Sequence, residues 1–230
     1  MKSLRLEQQD GVFILELING DADNQLNLDV LDEWFAALNQ VQGEQLTTAN
    51  KALLIHCRHP KTFSTGIDLH WLMQQPAEII ERFILRLENL LLRLATLDVP
   101  TVVAINGNCY AGGALIAAAC DYRYMRADRG RFCFPEVRIE KAFTPVMLEI
   151  AQLLPDARSV YELSITAEAW GGDVCQQRGI VDQALGEGAL FDAAMAKAVQ
   201  LAQLHRPALS IHKHALRERV TSLARERGLI

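Results

Sequence analysis

Two short apolar runs, Ala52–Cys57 (ALLIHC) and Thr101–Ile105 (TVVAI), stand on either side of a long segment of helical periodicity, Ile79–Leu97. Pro76 opens that segment and Val99–Pro100 closes it. Runs this short and this uniformly apolar read as buried strands. A strand, a helical crossover and a second strand make a βαβ unit, whose strands lie parallel in one sheet. The chain must therefore build a mostly parallel sheet covered by helices.

The rest of the chain fits around that unit. Ser3–Glu7 and Val12–Leu17 alternate apolar and polar residues about Asp10–Gly11, the pattern of a β-hairpin. Asn27–Leu38 places Leu31, Trp34, Phe35 and Leu38 at helical spacing, and Gly112–Ala119 is an apolar helix. Beyond Asp121 the strands shorten, and Asp156–Thr166, Glu187–Leu204 and the tail Ala208–Arg227 are expected to be helical. No repeat and no low-complexity linker interrupts the 230 residues. The expected fold class is α/β in a single domain over residues 1–230, with a core to about residue 186 and C-terminal helices over 187–230.

Composition limits the partners. A net charge of −5 gives no general attraction to nucleic acid or to an anionic membrane surface. No run reaches the ~18 apolar residues of a membrane span, and the opening MKSLRLEQQDG has no apolar stretch of the kind a signal peptide needs. Five cysteines, Cys57, Cys109, Cys120, Cys133 and Cys175, sit mostly in apolar runs with no metal-ligand spacing. Free thiols, no metal and a cytoplasmic setting are the expectation.

Two segments carry chemistry. The first is FSTGIDL, residues 63–69, after the Ala52–Cys57 strand. Its glycine permits a tight turn, Asp68 is placed to cap the next helix, and such a turn can aim the Ile67 N–H into a cleft. An ordinary strand-to-helix loop would use the same residues. The second is PTVVAINGNCYAGGALIAAACD, residues 100–121. Gly112 and Gly113 at a helix start cost about 1 kcal/mol each relative to alanine. They make sense where a ligand approaches free N–H groups at the positive end of the helix, or where a neighbouring strand packs closely. Phosphate-loop patterns are absent.

Together these segments resemble the crotonase superfamily. FSTGIDL is similar to FxxGxDL, and residues 100–121 are similar to PxxAxxxGxxxGGxxxxxxxCD at the right distance. The later TAEAWGGDVCQQRGIVDQAL resembles the family segment in which a helix ends at GxVDxv. The resemblance covers nearly the whole chain. It implies a crotonase-like spiral of ββα units and an acyl-CoA thioester as substrate, with no separate cofactor. It further implies an oxyanion hole made by the backbone N–H groups of Ile67 and Gly112, with Ser64, Gly66, Gly113 and Leu115 as substrate contacts. A homotrimer or a hexamer follows from the same resemblance. The tail supports assembly modestly, with Ala208, Ile211, Ala215, Leu216, Val220 and Leu223 near helical spacing.

Members of the superfamily differ in their acid–base residues. Enoyl-CoA hydratases carry one glutamate just after the glycine pair and another in a later Pro-Glu segment. Here the first position is Leu115, and the second is Glu136 in FPEV. Hydration divides water activation and proton delivery between two carboxylates. A double-bond shift needs only one, and RADRGRFCFPEVRIEKAFTPVMLEI resembles the monofunctional Δ3,Δ2-enoyl-CoA isomerases, whose single base stands at the Glu136 position. Phe132, Phe134 and Val137 are expected to desolvate it. Glu140 is the reserve candidate, with an ion pair to Lys141 as its simpler role.

A nucleophile is less well supported. Ser64 and Thr65 have no adjacent base and no GxSxG, and Cys109 merely neighbours the second loop. His56, His59 and His70 lack ligand spacing. Arg58, Lys61, Lys213 and Arg217 are the cations available for CoA phosphates. The leading reading is a 3-enoyl-CoA isomerase of fatty-acid β-oxidation. The alternatives are a hydratase, hydrolase or decarboxylase on the same scaffold, or a non-catalytic acyl-CoA binder, for which the intact glycines of both loops would have no use.

Overall fold

Asp10 and Gly11 both adopt the left-handed backbone (φ 51° and 79°) that a two-residue hairpin turn requires. They fold β1 (Leu4–Gln9) onto β2 (Val12–Leu17) as an antiparallel pair. The computed structural model describes residues 2–43 and 51–229. Every other pairing in the main sheet is parallel, in the order β1-β2-β3-β5-β7-β9. Its later strands are β3 (Ala52–Cys57), β5 (Thr101–Ile105), β7 (Tyr122–Arg126) and β9 (Gln183–Leu185).

A second sheet explains the spiral. β4 (Thr62–Ser64), β6 (Asn108–Tyr110) and β8 (Phe132–Cys133) each follow a main-sheet strand within a few residues and pair parallel to one another. Each also leads into helix. β4 precedes α2 (Leu69–Leu72) and α3 (Ala77–Ala95), β6 precedes α4 (Gly112–Ala119), and β8 precedes a 3₁₀ turn (Glu136–Ile139) and α5 (Pro145–Ala151). The repeating unit is therefore strand, short strand, helix. These short strands carry no alternation of their own, and the sequence shows them only as loop.

The strands are apolar throughout because both faces are covered. Leu53 and Ile55 of β3 enter the large core formed with α3, α4, α5 and α1 (Leu28–Gln42). Ala52 and Leu54 face a second cluster that includes Leu190, Ala194, Ala198 and Leu201 of α8 (Glu187–Ala202). Helix starts follow the expected caps. The side chains of Asn27, Asp68 and Asp156 accept the N–H groups of Val30, Trp71 and Ser159, opening α1, α2 and α6 (Ala157–Thr166). α7 (Gly172–Gln177) leads to β9. Among the described residues no helix is long and apolar enough to cross a membrane.

The tail differs from expectation. Ala208–Arg227 is not one helix but two, α9 (Arg206–Leu216) and α10 (Glu218–Glu226), broken at Arg217. Two cations converge on one carboxylate there. Lys213 Nζ lies 2.8 Å from Asp121 Oδ2, and Arg217 Nη2 lies 2.8 Å from Asp121 Oδ1. Arg217 also donates to the carbonyls of Ala95 and Ala119. Burial pushes the Asp121 carboxyl up, but Lys213 and Arg217 outweigh it and hold the group below its usual range. The break lets α10 return across α3 and α5. No glycine or proline marks it, so the periodic pattern runs straight through.

Candidate active site

The two short strands β4 and β6 end in loops that meet backbone to backbone. Gly66 has φ +84°, and a Cβ there would lie 2.6 Å from the Gly112 nitrogen. A Cβ on Gly113 would lie 2.5 Å from the Ser64 carbonyl oxygen. Both glycines therefore permit a contact that no other residue allows. Ser64 ties the first loop down, its hydroxyl donating to Asn24 O at 2.9 Å and accepting from Gly66 N at 3.2 Å. Leu26 bridges the same loop, with Leu26 N donating to Gly66 O and Asp68 N to Leu26 O. Ala111, just before α4, is held at φ 50° and ψ −124°, a strained conformation for a residue with a Cβ.

That packing leaves two donors idle. Among the described residues, neither the Ile67 N–H nor the Gly112 N–H reaches a protein acceptor. A Cβ built on Gly112 would lie 3.8 Å from the Ile67 nitrogen, so the two residues stand side by side. Gly112 is the first residue of α4 and adds the positive end of its dipole.

Both donors border a cavity of about 420 Å³. Leu69, Leu72, Ile80, Ile84 and Leu87 from α2 and α3 form one wall. Ile139, Phe143 and Met147 line the part beside α5, and Leu115 projects from α4. Glu136 is the only carboxylate among the described lining residues. Its Oε2 is buried without a hydrogen-bond partner. Burial raises its carboxyl to about 7, with its own backbone N–H pulling weakly the other way. The raised value suits a base working near neutral pH.

The structure thus brings Ile67, Gly112, Leu115 and Glu136 to one cavity. It moves other candidates elsewhere. Ser64 is 1% exposed, and neither it nor Gly66 or Gly113 lines the cavity; the three shape the loops that carry its donors. Val137 is 49% exposed, whereas Phe132 and Phe134 are buried and stack edge-to-face with each other and, through Phe134, with Phe143, which lines the same cavity as Glu136. Glu140 is exposed at φ +56°, and no ion pair joins it to Lys141 among the described residues. Lys141 lies on the cavity rim instead.

The remaining cations and nucleophiles are also accounted for. Lys213 and Arg217 are committed to Asp121 and are withdrawn as phosphate contacts. Arg58 is exposed beside Glu16, and Lys61 is exposed near the first loop. Cys109 is fully buried, and burial pushes its thiol well up, so it is no nucleophile. His56 is held neutral by burial, with its pKa lowered to about 4, and it lines a separate cavity of about 240 Å³ that shares no wall with the first. His59 accepts from Thr62 N and His70 pairs with Gln74. Among the described residues no cluster of His, Cys, Asp or Glu is placed to hold a metal ion. The apolar wall from α2 and α3 escaped sequence reasoning, although the stripe through Ile80, Ile84 and Leu87 at helical spacing was its signal.

Comparison with known proteins bears on the same residues. The family model described as enoyl-CoA hydratase/isomerase matches residues 7–229. The chain is similar to a protein of Arabidopsis thaliana called enoyl-CoA delta isomerase 1, peroxisomal, at 32% identity over 80% of this chain and 75% of that one. It is also similar to the fatty acid oxidation complex subunit alpha of Vibrio campbellii, at 27% identity over 84% of this chain and 27% of that longer protein. Among solved structures, human mitochondrial Δ3-Δ2-enoyl-CoA isomerase superposes with a TM-score of 0.91 at 22% identity, covering 99% of this chain and 88% of that one. At that identity the likeness speaks for the fold.

Proposed function

The chain belongs to the crotonase, or enoyl-CoA hydratase/isomerase, family, and from that premise we propose that it moves the double bond of a 3-enoyl-CoA to the 2-position. The observation that carries this reading is a single, desolvated carboxylate, Glu136, lining the same cavity as two unused N–H donors, with Leu115 where a second carboxylate would be needed. Glu136 takes the proton from C2 of the substrate. The electron pair moves through the thioester onto its oxygen, giving a dienolate held by Ile67 N–H and Gly112 N–H. The protonated Glu136 then returns the proton to C4, and the double bond settles between C2 and C3. Proton and electrons balance with one group, and the coenzyme A thioester is substrate rather than cofactor.

The alternative is hydration of a 2-enoyl-CoA, which needs a second acid–base group. Turnover of a 3-enoyl-CoA and of crotonyl-CoA by the same preparation separates the two. Isomerisation well in excess of hydration is the expected result, and equal or greater hydration overturns the assignment. Glu136→Gln should lose ~10²–10⁴-fold in turnover while acyl-CoA affinity stays within a few-fold. Retained affinity with no turnover in the wild type would instead favour a non-catalytic binder.

A role in fatty-acid β-oxidation, a cytoplasmic setting and assembly as a homotrimer or hexamer belong to the same proposal. The assembly is supported by the apolar side chains that α9 and the residues before it leave uncovered, Leu204, Ile211 and Leu216, at 49%, 69% and 85% exposure.

A further inference from the structure

Glu140 and Ala167 both sit at positive φ, and both are ordinary left-handed residues, with φ/ψ of 56°/35° and 51°/37°. Ala111 shares their φ, at 50°, but its ψ is −124°. That is close to the first central position of a type II′ turn, which glycine ordinarily fills because a Cβ is strained there. The strain falls on the peptide that carries the Gly112 N–H.

The surroundings hold Ala111 in place but leave that peptide a choice. Ala111 N donates to Cys133 O at 3.1 Å, which ties the residue to β8. Its Cβ packs against the first loop, where a Cβ on Gly66 would lie 2.9 Å from it. Its carbonyl accepts from Leu115 N at 3.0 Å, in the first turn of α4, which leaves the Gly112 N–H for the cavity. Turning the 111–112 peptide over would move neither flanking Cα. It would carry Ala111 ψ to about +55°, the relaxed left-handed region. Gly112 would pass to positive φ, which glycine accepts at no steric cost. The reversal gives up the Leu115 hydrogen bond and relieves the strain at Ala111, two contributions of similar size.

We propose that Ala111 is a positioning residue for the Gly112 donor: its strained backbone keeps the 111–112 peptide near balance between the orientation seen here and the reversed one, and a thioester oxygen selects the first. This rests on the cavity being a thioester site, as argued above. In the reversed orientation the Ala111 carbonyl takes the place of the N–H and repels the same oxygen. Only the fraction of the protein with the donor turned toward the cavity then binds, and the apparent affinity for a thioester falls by that fraction. Glycine at 111 carries no strain in the present orientation and removes the reduction.

The test compares wild type with Ala111→Gly on two ligands that do not turn over, by titration calorimetry. Hexanoyl-CoA has the thioester oxygen and no double bond to move. S-hexyl-CoA is the corresponding thioether, with the same carbon chain and no oxygen. Ala111→Gly should tighten hexanoyl-CoA roughly three- to tenfold and leave S-hexyl-CoA unchanged. Its kcat/KM on a 3-enoyl-CoA should rise by the same factor with an unaltered pH profile, because Glu136 is untouched. The variant should melt no lower than wild type, since the relieved strain offsets the freedom that glycine adds to the unfolded chain. A gain shared by both ligands, or no gain on hexanoyl-CoA, overturns this role of Ala111 while leaving the proposed function standing. A lower melting temperature would mean that the turn is unstrained and overturns it as well. A wild type that binds hexanoyl-CoA no more tightly than S-hexyl-CoA would remove the oxygen site itself, and this role with it.

Discussion

Burial raises the Glu136 carboxyl from its ordinary value to about 7, and the sign of that shift makes two predictions at the residue scale. The base works ionised, so kcat/KM on a 3-enoyl-CoA should rise about tenfold per pH unit below 7 and level off above it. Stability should run the opposite way. Between the unfolded value near 4.5 and the folded value near 7, the folded state binds more protons. The fold therefore loses stability as pH rises through that window. Denaturant midpoints at pH 5 and pH 8 measure the loss, and Glu136→Gln should remove this contribution while abolishing most turnover. A flat kcat/KM profile across pH 5–8 would take the base elsewhere. Glu140→Gln should change neither quantity much, because that carboxylate faces solvent.

At the scale of elements, adjacent glycines of α4 separate catalysis from folding. A side chain on Gly112 meets first the flexible Leu26 Cδ1, at 3.2 Å, whereas one on Gly113 meets the Ser64 backbone oxygen at 2.5 Å. Gly112→Val should therefore fold, yet crowd the oxyanion site and lose ~10²–10³-fold in kcat. Gly113→Ala should lower the melting temperature instead, because backbone cannot move aside cheaply. Thermal scans and turnover of the two variants, read together, test the contrast; a folded and fully active Gly112→Val would remove that residue from the hole. The tail supplies a second element-scale prediction. Lys213 and Arg217 hold α9 and the start of α10 to Asp121, at the junction of α4 and β7. Lys213→Met leaves the half-buried Asp121 carboxylate with Arg217 and Thr101 but short of one charged partner, and should cost about 1–3 kcal/mol in denaturant unfolding.

For the whole molecule, the testable property is assembly. Ile211 and Leu216 are the most exposed large apolar side chains of α9, and solvent is a poor neighbour for an apolar stripe of this kind. If copies of the chain cover it, light scattering at micromolar concentration should give a trimer or hexamer. Ile211→Glu with Leu216→Glu should shift the mass toward the monomer while leaving the fold intact. A monomeric wild type would count against the proposed assembly.

The parallel main sheet was legible in ALLIHC and TVVAI, because a strand covered on both faces must be apolar at every position. The hairpin was legible in Asp10–Gly11, and the starts of α1, α2 and α6 in Asn27, Asp68 and Asp156, because caps and turns are local hydrogen-bond problems solved by the residues at hand. The motifs of residues 63–69 and 100–121 also marked where two backbones would meet. The second sheet was not legible, since strands of two or three residues have no period to read. Nor was the break at Arg217, which depends on a carboxylate almost a hundred residues earlier. The same holds inside the site. The sequence by itself determined which residue types were available: a lone glutamate in FPEV, glycines in both loops and leucine at 115. Only the tertiary structure decided that Ser64 is spent on Asn24, that Thr65 is left with a free hydroxyl, and that Glu136 is desolvated enough to act as a base. Burial and hydrogen-bond satisfaction are set by neighbours distant in sequence, and no local pattern encodes them.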